Sequence, residues 1–294
     1  MIDSSNVLNE MLPDKSFFVG IDSDGCVFDS MEIKQKECFC PQFINHMNLQ
    51  PVSKYAREAW EFVNLYSTYR GVNRFVALAR ALDLLKKHPQ VRARNVAIPE
   101  LPGFRRWIDT EKHLNNTTLL EVLDSSADSD LEKVYKWSID VNETVKKIIR
   151  NVPPFPHVRE CLRKIMNDAD SIVVSQTPCE ALSREWSEHS LQSLVRIIAG
   201  QEMGTKTEQL ASAVNGKYHP EKCLMIGDVP GDYDAAKHNG ILFYPINPGH
   251  EELSWERFYD EAFRRFLDGS FAGDYQNVLI SEFRRLLPEE PVWG

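Results

Sequence analysis

The chain has 294 residues, with 34 Lys and Arg against 43 Asp and Glu, a formal charge of −9 with its eight histidines neutral. At 43% hydrophobic and 26% charged residues it has the makeup of a globular protein with a sizeable core, which excludes a disordered, collagen-like or disulfide-dense chain. The acidic balance argues against a general nucleic-acid binder, and no apolar run approaches the roughly 20 residues that span a bilayer.

The first residues carry no basic segment followed by an apolar stretch and a cleavage site, so a cytoplasmic protein is expected. Residues 17–21 (FFVGI) read as a buried parallel strand that runs into Asp22-Ser23-Asp24-Gly25. From about 30 to 150 the texture is helical, with apolar residues three and four apart at Ala59, Phe62, Val63 and Tyr66, then Phe75, Leu78, Ala79 and Leu82. Pro153, Pro154 and Pro156 end that stretch, because proline cannot continue a helix. Strands are then expected over 171–174, 195–199, 223–226 and 241–246, with helices over 157–166, 206–214 and 232–238 between them. Two amphipathic helices, 255–267 and 275–287, close the chain. The six cysteines are scattered and read as buried or free thiols.

Strands alternating with helices imply an α/β fold, a Rossmann-like parallel sheet with helices on both faces. In such a sheet, ligands bind beyond the carboxyl ends of the strands. Asp22 and Asp24 follow the first strand there, Ser175 the second, and Asp228 and Asp232 a later one, while Lys206 opens a helix. Carboxylates so concentrated cannot all ionise cheaply without a cation, and an all-oxygen set with phosphate oxygens favours Mg²⁺.

Residues 22–30 (DSDGCVFDS) resemble the first motif of the haloacid dehalogenase superfamily. Ser175 after SIVV is similar to the second motif, Lys206 in GTKTEQL to the third, and Gly227-Asp228-Val-Pro-Gly-Asp232 to the fourth. The resemblance covers about 15–30 and 152–250. It implies a core of 1–29 and 153–250 and an inserted helical cap of 30–152; the closing helical pair reads as a C-terminal helical extension of 251–294. Between Asp22 and Ser175 lie 153 positions, against 31 from Ser175 to Lys206 and 22 from Lys206 to Asp228, so only the first gap has room for an insertion.

The resemblance implies a Mg²⁺-dependent phosphatase that works through an aspartyl-phosphate on a small phosphorylated substrate. Asp22 is then the nucleophile, Asp24 the general acid and base, and Asp22, Asp24, Asp228 and Asp232 the metal set. Ser175 would bond a phosphoryl oxygen and Lys206 would offset charge. Lys217 and Lys222 are rivals for Lys206, and the rival reading of Asp232 is that it or Asp234 simply caps the next helix. Asp29 and Ser30 are expected to cap the first inserted helix, and Cys26, where the family usually has Thr, to pack. Arg70 and Arg74 flank Gly71 in a loop similar to one that reads substrate in related sugar-phosphate enzymes. Lys86, Lys87, Arg92 and Arg94 form a basic cluster that reads as a solvated face. Residues 124–130 (DSSADSD) lack the Gly and Glu of a calcium loop. A phosphomutase like β-phosphoglucomutase and a catalytically silent binding module are the alternatives. A monomer or homodimer is expected, with no nucleic acid and no membrane.

Overall fold

A computed structural model describes residues 6–293. Five parallel strands form one sheet in the order β3-β2-β1-β4-β5: β1 Phe17–Ile21, β2 Ala169–Val174, β3 Ile197–Ala199, β4 Cys223–Gly227 and β5 Leu242–Pro245. Phe18, Val19 and Ile21 are fully buried, as a central strand covered on both faces requires. Val19 faces Ser171 on one side and Leu224 on the other. The sheet has the α/β architecture expected from the sequence, with strand ends moved by one or two residues.

The chain divides into two compact units, Met1–Met31 with Asn151–Leu287, and Glu32–Arg150 with Pro288–Gly294. The first holds the sheet. Helices Val158–Asp168, Cys179–Glu188, Lys206–Val214 and Pro230–His238 connect its strands. Phe18, Ile172, Val174, Leu210, Met225 and Phe243 are among the side chains of its core. Residues 251–287, set apart in the sequence as an extension, fall within this unit. Helix Glu251–Arg257 continues through a π-helical turn, Phe258–Ala262, into Phe263–Asp268. Trp255, Phe258, Phe263 and Phe266 are buried there, so this aromatic face packs on its own core.

The second unit contains helices only, among the described residues. Trp60, Trp137, Phe39, Phe43, Phe75 and Trp107 meet in one aromatic cluster, with ring centres 4.9 to 6.3 Å apart. Asp128 caps helix Ser129–Ile148 through the N–H groups of Asp130 and Leu131, and Asp130 accepts from Gly103 N at 3.0 Å. These aspartates are thus helix-end residues, in keeping with the missing calcium-loop features. The last residues also belong to this unit: Thr68 N donates to Pro288 O, Arg80 pairs with Glu290, and Trp293 packs against His88 at 4.4 Å. Lys86 of the basic cluster pairs with Glu100, and Arg94 lies over the Tyr55 ring. All six cysteines are free thiols. No described helix is long and apolar enough to cross a membrane.

Candidate active site

Strand order places β1 between β2 and β4, so the chain leaves β1 in one direction and later returns to its other side. This is a topological switch point, beyond whose carboxyl edge ligands bind in sheets of this kind. Asp22 continues the β1 ladder, its N–H donating to Ile226 O at 2.9 Å, and Asp228 follows β4. The two carboxylates are neighbours because their strands are.

Asp22, Asp228 and Asp232 are all buried, and one carboxylate oxygen from each lies within 4.8 Å of the others. Lys206 Nζ reaches Asp22 Oδ2 at 2.7 Å and Asp232 Oδ1 at 2.6 Å. The other oxygen of Asp22 accepts from Ser23 N at 2.7 Å. Asp232 Oδ2 accepts from the N–H groups of Asp228 and Val229 at 3.1 and 3.2 Å, which folds the Asp228 loop around it. Gly227 has to be glycine: a Cβ there would stand 2.2 Å from Asp232 Oδ2.

Burial pushes the Asp22 carboxyl up to about 7; Lys206 opposes this and Asp232 adds to it. Burial likewise raises Asp232, against Lys206 and with Asp228. On Lys206 burial favours the neutral amine, but Asp22 and Asp232 outweigh it and hold the ammonium above its ordinary range. Three ionised carboxylates and one ammonium leave an excess of two negative charges. An all-oxygen site with that excess fits a hard divalent cation.

Asp24 is held by two hydroxyls: Ser30 donates to Oδ1, and Thr177 donates to Oδ2 at 2.8 Å. Ser30, expected as a helix cap, therefore orients Asp24. Thr177 escaped the sequence reading because a Thr ahead of Pro178 looks like an ordinary helix entry. Ser175 is buried beyond β2, its Oγ accepting from Thr177 N at 3.2 Å. Ser23 accepts from Trp186 Nε1 at 3.0 Å, and Trp255 Nε1 donates to Cys26 O at 2.8 Å, so two buried indoles brace the loop around the aspartates. Cys26 is fully buried and packs, as expected.

The structure separates the rival lysines. Lys217 donates to Leu8 O and Ser212 O, and Lys222 lies over the Phe17 ring, whereas Lys206 touches Asp22. Asp234 is exposed and Asp232 buried. Arg70 and Arg74 lie in the helical unit. Arg70 is buried and donates to Leu65 O at 3.0 Å. Arg74 donates to Asn142 Oδ1 at 2.7 Å and Ser138 Oγ at 3.1 Å, and sits over the Phe39 ring. Burial lowers its guanidinium to about 10. Arg74 thus joins helices within that unit.

Comparison with known proteins agrees with this fold. The family model for haloacid dehalogenase-like hydrolases matches residues 105–246. That span holds Ser175, Lys206, Asp228 and Asp232, and Asp22 and Asp24 precede it. A structure from Lactobacillus delbrueckii subsp. bulgaricus, provisionally described as a phosphoglycolate phosphatase, is 14% identical over 84% of this chain and 92% of its own, with a TM-score of 0.50. A haloacid dehalogenase-like hydrolase from Streptococcus pneumoniae is 14% identical over 82% of this chain and 90% of its own (TM-score 0.42). A provisional β-phosphoglucomutase from Bacteroides vulgatus is 14% identical over 91% and 96% (TM-score 0.45). A search of curated proteins gives no match. The family model, over just under half of the chain, coincides with three of the four segments that resemble this superfamily, and the solved structures share the fold.

Proposed function

We propose that the protein is a Mg²⁺-dependent phosphatase that hydrolyses a small phosphorylated metabolite through an aspartyl-phosphate. The observation that carries this reading is the Asp22 carboxylate. It stands at the carboxyl end of the central strand, paired with Lys206 and grouped with Asp228 and Asp232.

Asp22 Oδ would attack phosphorus, forming the acyl-phosphate bond while the ester P–O bond breaks. Asp24 gives a proton to the departing oxygen and later takes one from the water that cleaves the acyl phosphate, which releases inorganic phosphate and restores Asp22. The Ser30 and Thr177 hydroxyls fix the Asp24 carboxyl for both transfers. Ser175 would donate to a phosphoryl oxygen, and Lys206 would balance charge on Asp22 and the phosphoryl group. Asp22, Asp228 and the Asp24 backbone carbonyl would hold the cation. Both Asp232 oxygens already accept hydrogen bonds, so Asp232 shapes that shell by fixing the Asp228 loop and Lys206. When bound, Mg²⁺ supplies charge neutralisation at the phosphoryl oxygens.

A panel of phosphoesters with Mg²⁺ and with EDTA tests the reading. Metal-dependent phosphate release supports it; no release from any substrate, with sugar phosphates interconverted when a bisphosphate activator is added, replaces it with the mutase.

A further inference from the structure

Gln209 is fully buried and polar, and it plays no part in the chemistry described so far. It lies one turn after Lys206 on helix Lys206–Val214. Its Nε2 sits 3.1 Å from Ser175 O, 2.9 Å from Gly200 O and 3.0 Å from Gly204 O. An amide nitrogen has two protons, so at least one is shared between carbonyls. Gln209 Oε1 meets no donor among the described residues. Three acceptors on one side fix the amide orientation, because the flipped group would press its oxygen against three carbonyl oxygens.

The three carbonyls belong to three pieces of the carboxyl edge. Ser175 follows β2, Gly200 follows β3, and Gly204 precedes the helix that carries Lys206. Gly204 has φ +96°, a conformation that favours glycine and turns its carbonyl toward the amide. Gln176 Nε2 donates to the same carbonyl at 3.0 Å, and Gln201 N donates to Thr177 O at 3.1 Å. The Ser175 peptide is thus held by the sheet on one side, through its N–H to Ala199 O, and by Gln209 on the other. A Leu or Met at position 209 would fill the same space and leave these carbonyls short of donors.

We infer that Gln209 is a positioning residue that fixes the Ser175 hydroxyl and the Lys206 ammonium at the spacing a phosphoryl group requires. The inference rests on the phosphoryl-transfer reading above. Its test is the binding of inorganic phosphate, with Mg²⁺ present, to the full-length protein and to Gln209→Met, which keeps the volume and removes the donors. Wild-type protein that binds no phosphate overturns the phosphoryl site itself, and this role with it. Phosphate binding weakened by about tenfold in a variant with native circular dichroism and wild-type Mg²⁺ affinity supports the inference. Equal phosphate binding overturns it, as does parallel loss of phosphate and Mg²⁺ affinity, which marks general disorder of the site. Should Gln209→Met fail to fold, the Gln209 side-chain amide resonances of the wild type decide: a shift on adding phosphate supports the inference, and unmoved signals overturn it.

Discussion

Asp22 is where burial and charge conflict most directly. Its folded value of about 7 lies above its ordinary 3.8, because burial penalises the anion more than Lys206 favours it. Without metal, the unfolded chain ionises first, so this group costs stability progressively as pH rises from about 4 through about 7. A divalent cation competes with the proton, and its affinity should therefore rise with pH over the same range. Mg²⁺ is expected to lift the thermal midpoint more at pH 8 than at pH 5.5; equal lifts would remove Asp22 from the ligand set. Asp22→Asn should lower turnover by more than about a thousandfold while the fold survives, as for other essential nucleophiles. Phosphate release and a melting curve on one preparation check both halves. Asp22 and Asp228 were readable in the sequence because aspartates after apolar runs stand out. Thr177 and Gln209 were not: neither carries charge, Asp24 lies 153 residues from Thr177, and Ser175 lies 34 residues from Gln209.

At the scale of elements, β2 begins in a polar clamp. Asp170 accepts from Asp14 N and Lys15 N at 2.9 Å, and from Tyr218 Oη and Arg196 Nη1 at 2.8 Å. Burial alone would raise its pKa, but these donors, Lys15 N first, win and hold the carboxyl below its usual range. The stability it lends is present above the unfolded value near 3.8 and is lost as pH falls through the folded value. Asp170→Ala should cost on the order of 3 kcal/mol in urea unfolding near neutral pH, since buried donors lose their acceptor. Asp170→Asn should flatten the acid limb of the stability profile; an unchanged limb would place acid sensitivity elsewhere. Trp255 joins the 251–268 helical run to the loop after β1 through Cys26 O. Trp255→Ala should destabilise by about 3–5 kcal/mol, read by the same unfolding curves. The sequence showed one amphipathic helix over 255–267; the structure interrupts it with a π turn at Phe258–Ala262, where Phe258 and Ala262 are buried.

At the scale of the molecule, the chain's last residues return to the helical unit. Pro288 O accepts from Thr68 N, Glu290 pairs with Arg80, and Trp293 packs on buried His88. A chain ending at Leu287 should lose amide-exchange protection over 62–88 while the sheet keeps its own; uniform protection would show that the tail adds nothing. No periodicity could announce this, because seven residues of tail carry no pattern and their partners lie about two hundred positions earlier. The sequence by itself determined the alternation of strands and helices, the helical insertion after the first strand, and the carboxylates that end β1 and begin the β4 loop. Those are local signals of apolar period, proline and aspartate placement. Only the tertiary structure set Lys206, and not Lys217 or Lys222, against Asp22, gave Ser30 and Thr177 to Asp24, tied Arg74 into helix packing and joined three loops through Gln209. Ser30 is only six residues from Asp24, yet nothing in that short stretch announces the contact; Thr177, Lys206 and Arg74 meet partners in distant segments that strand order and side-chain reach bring together.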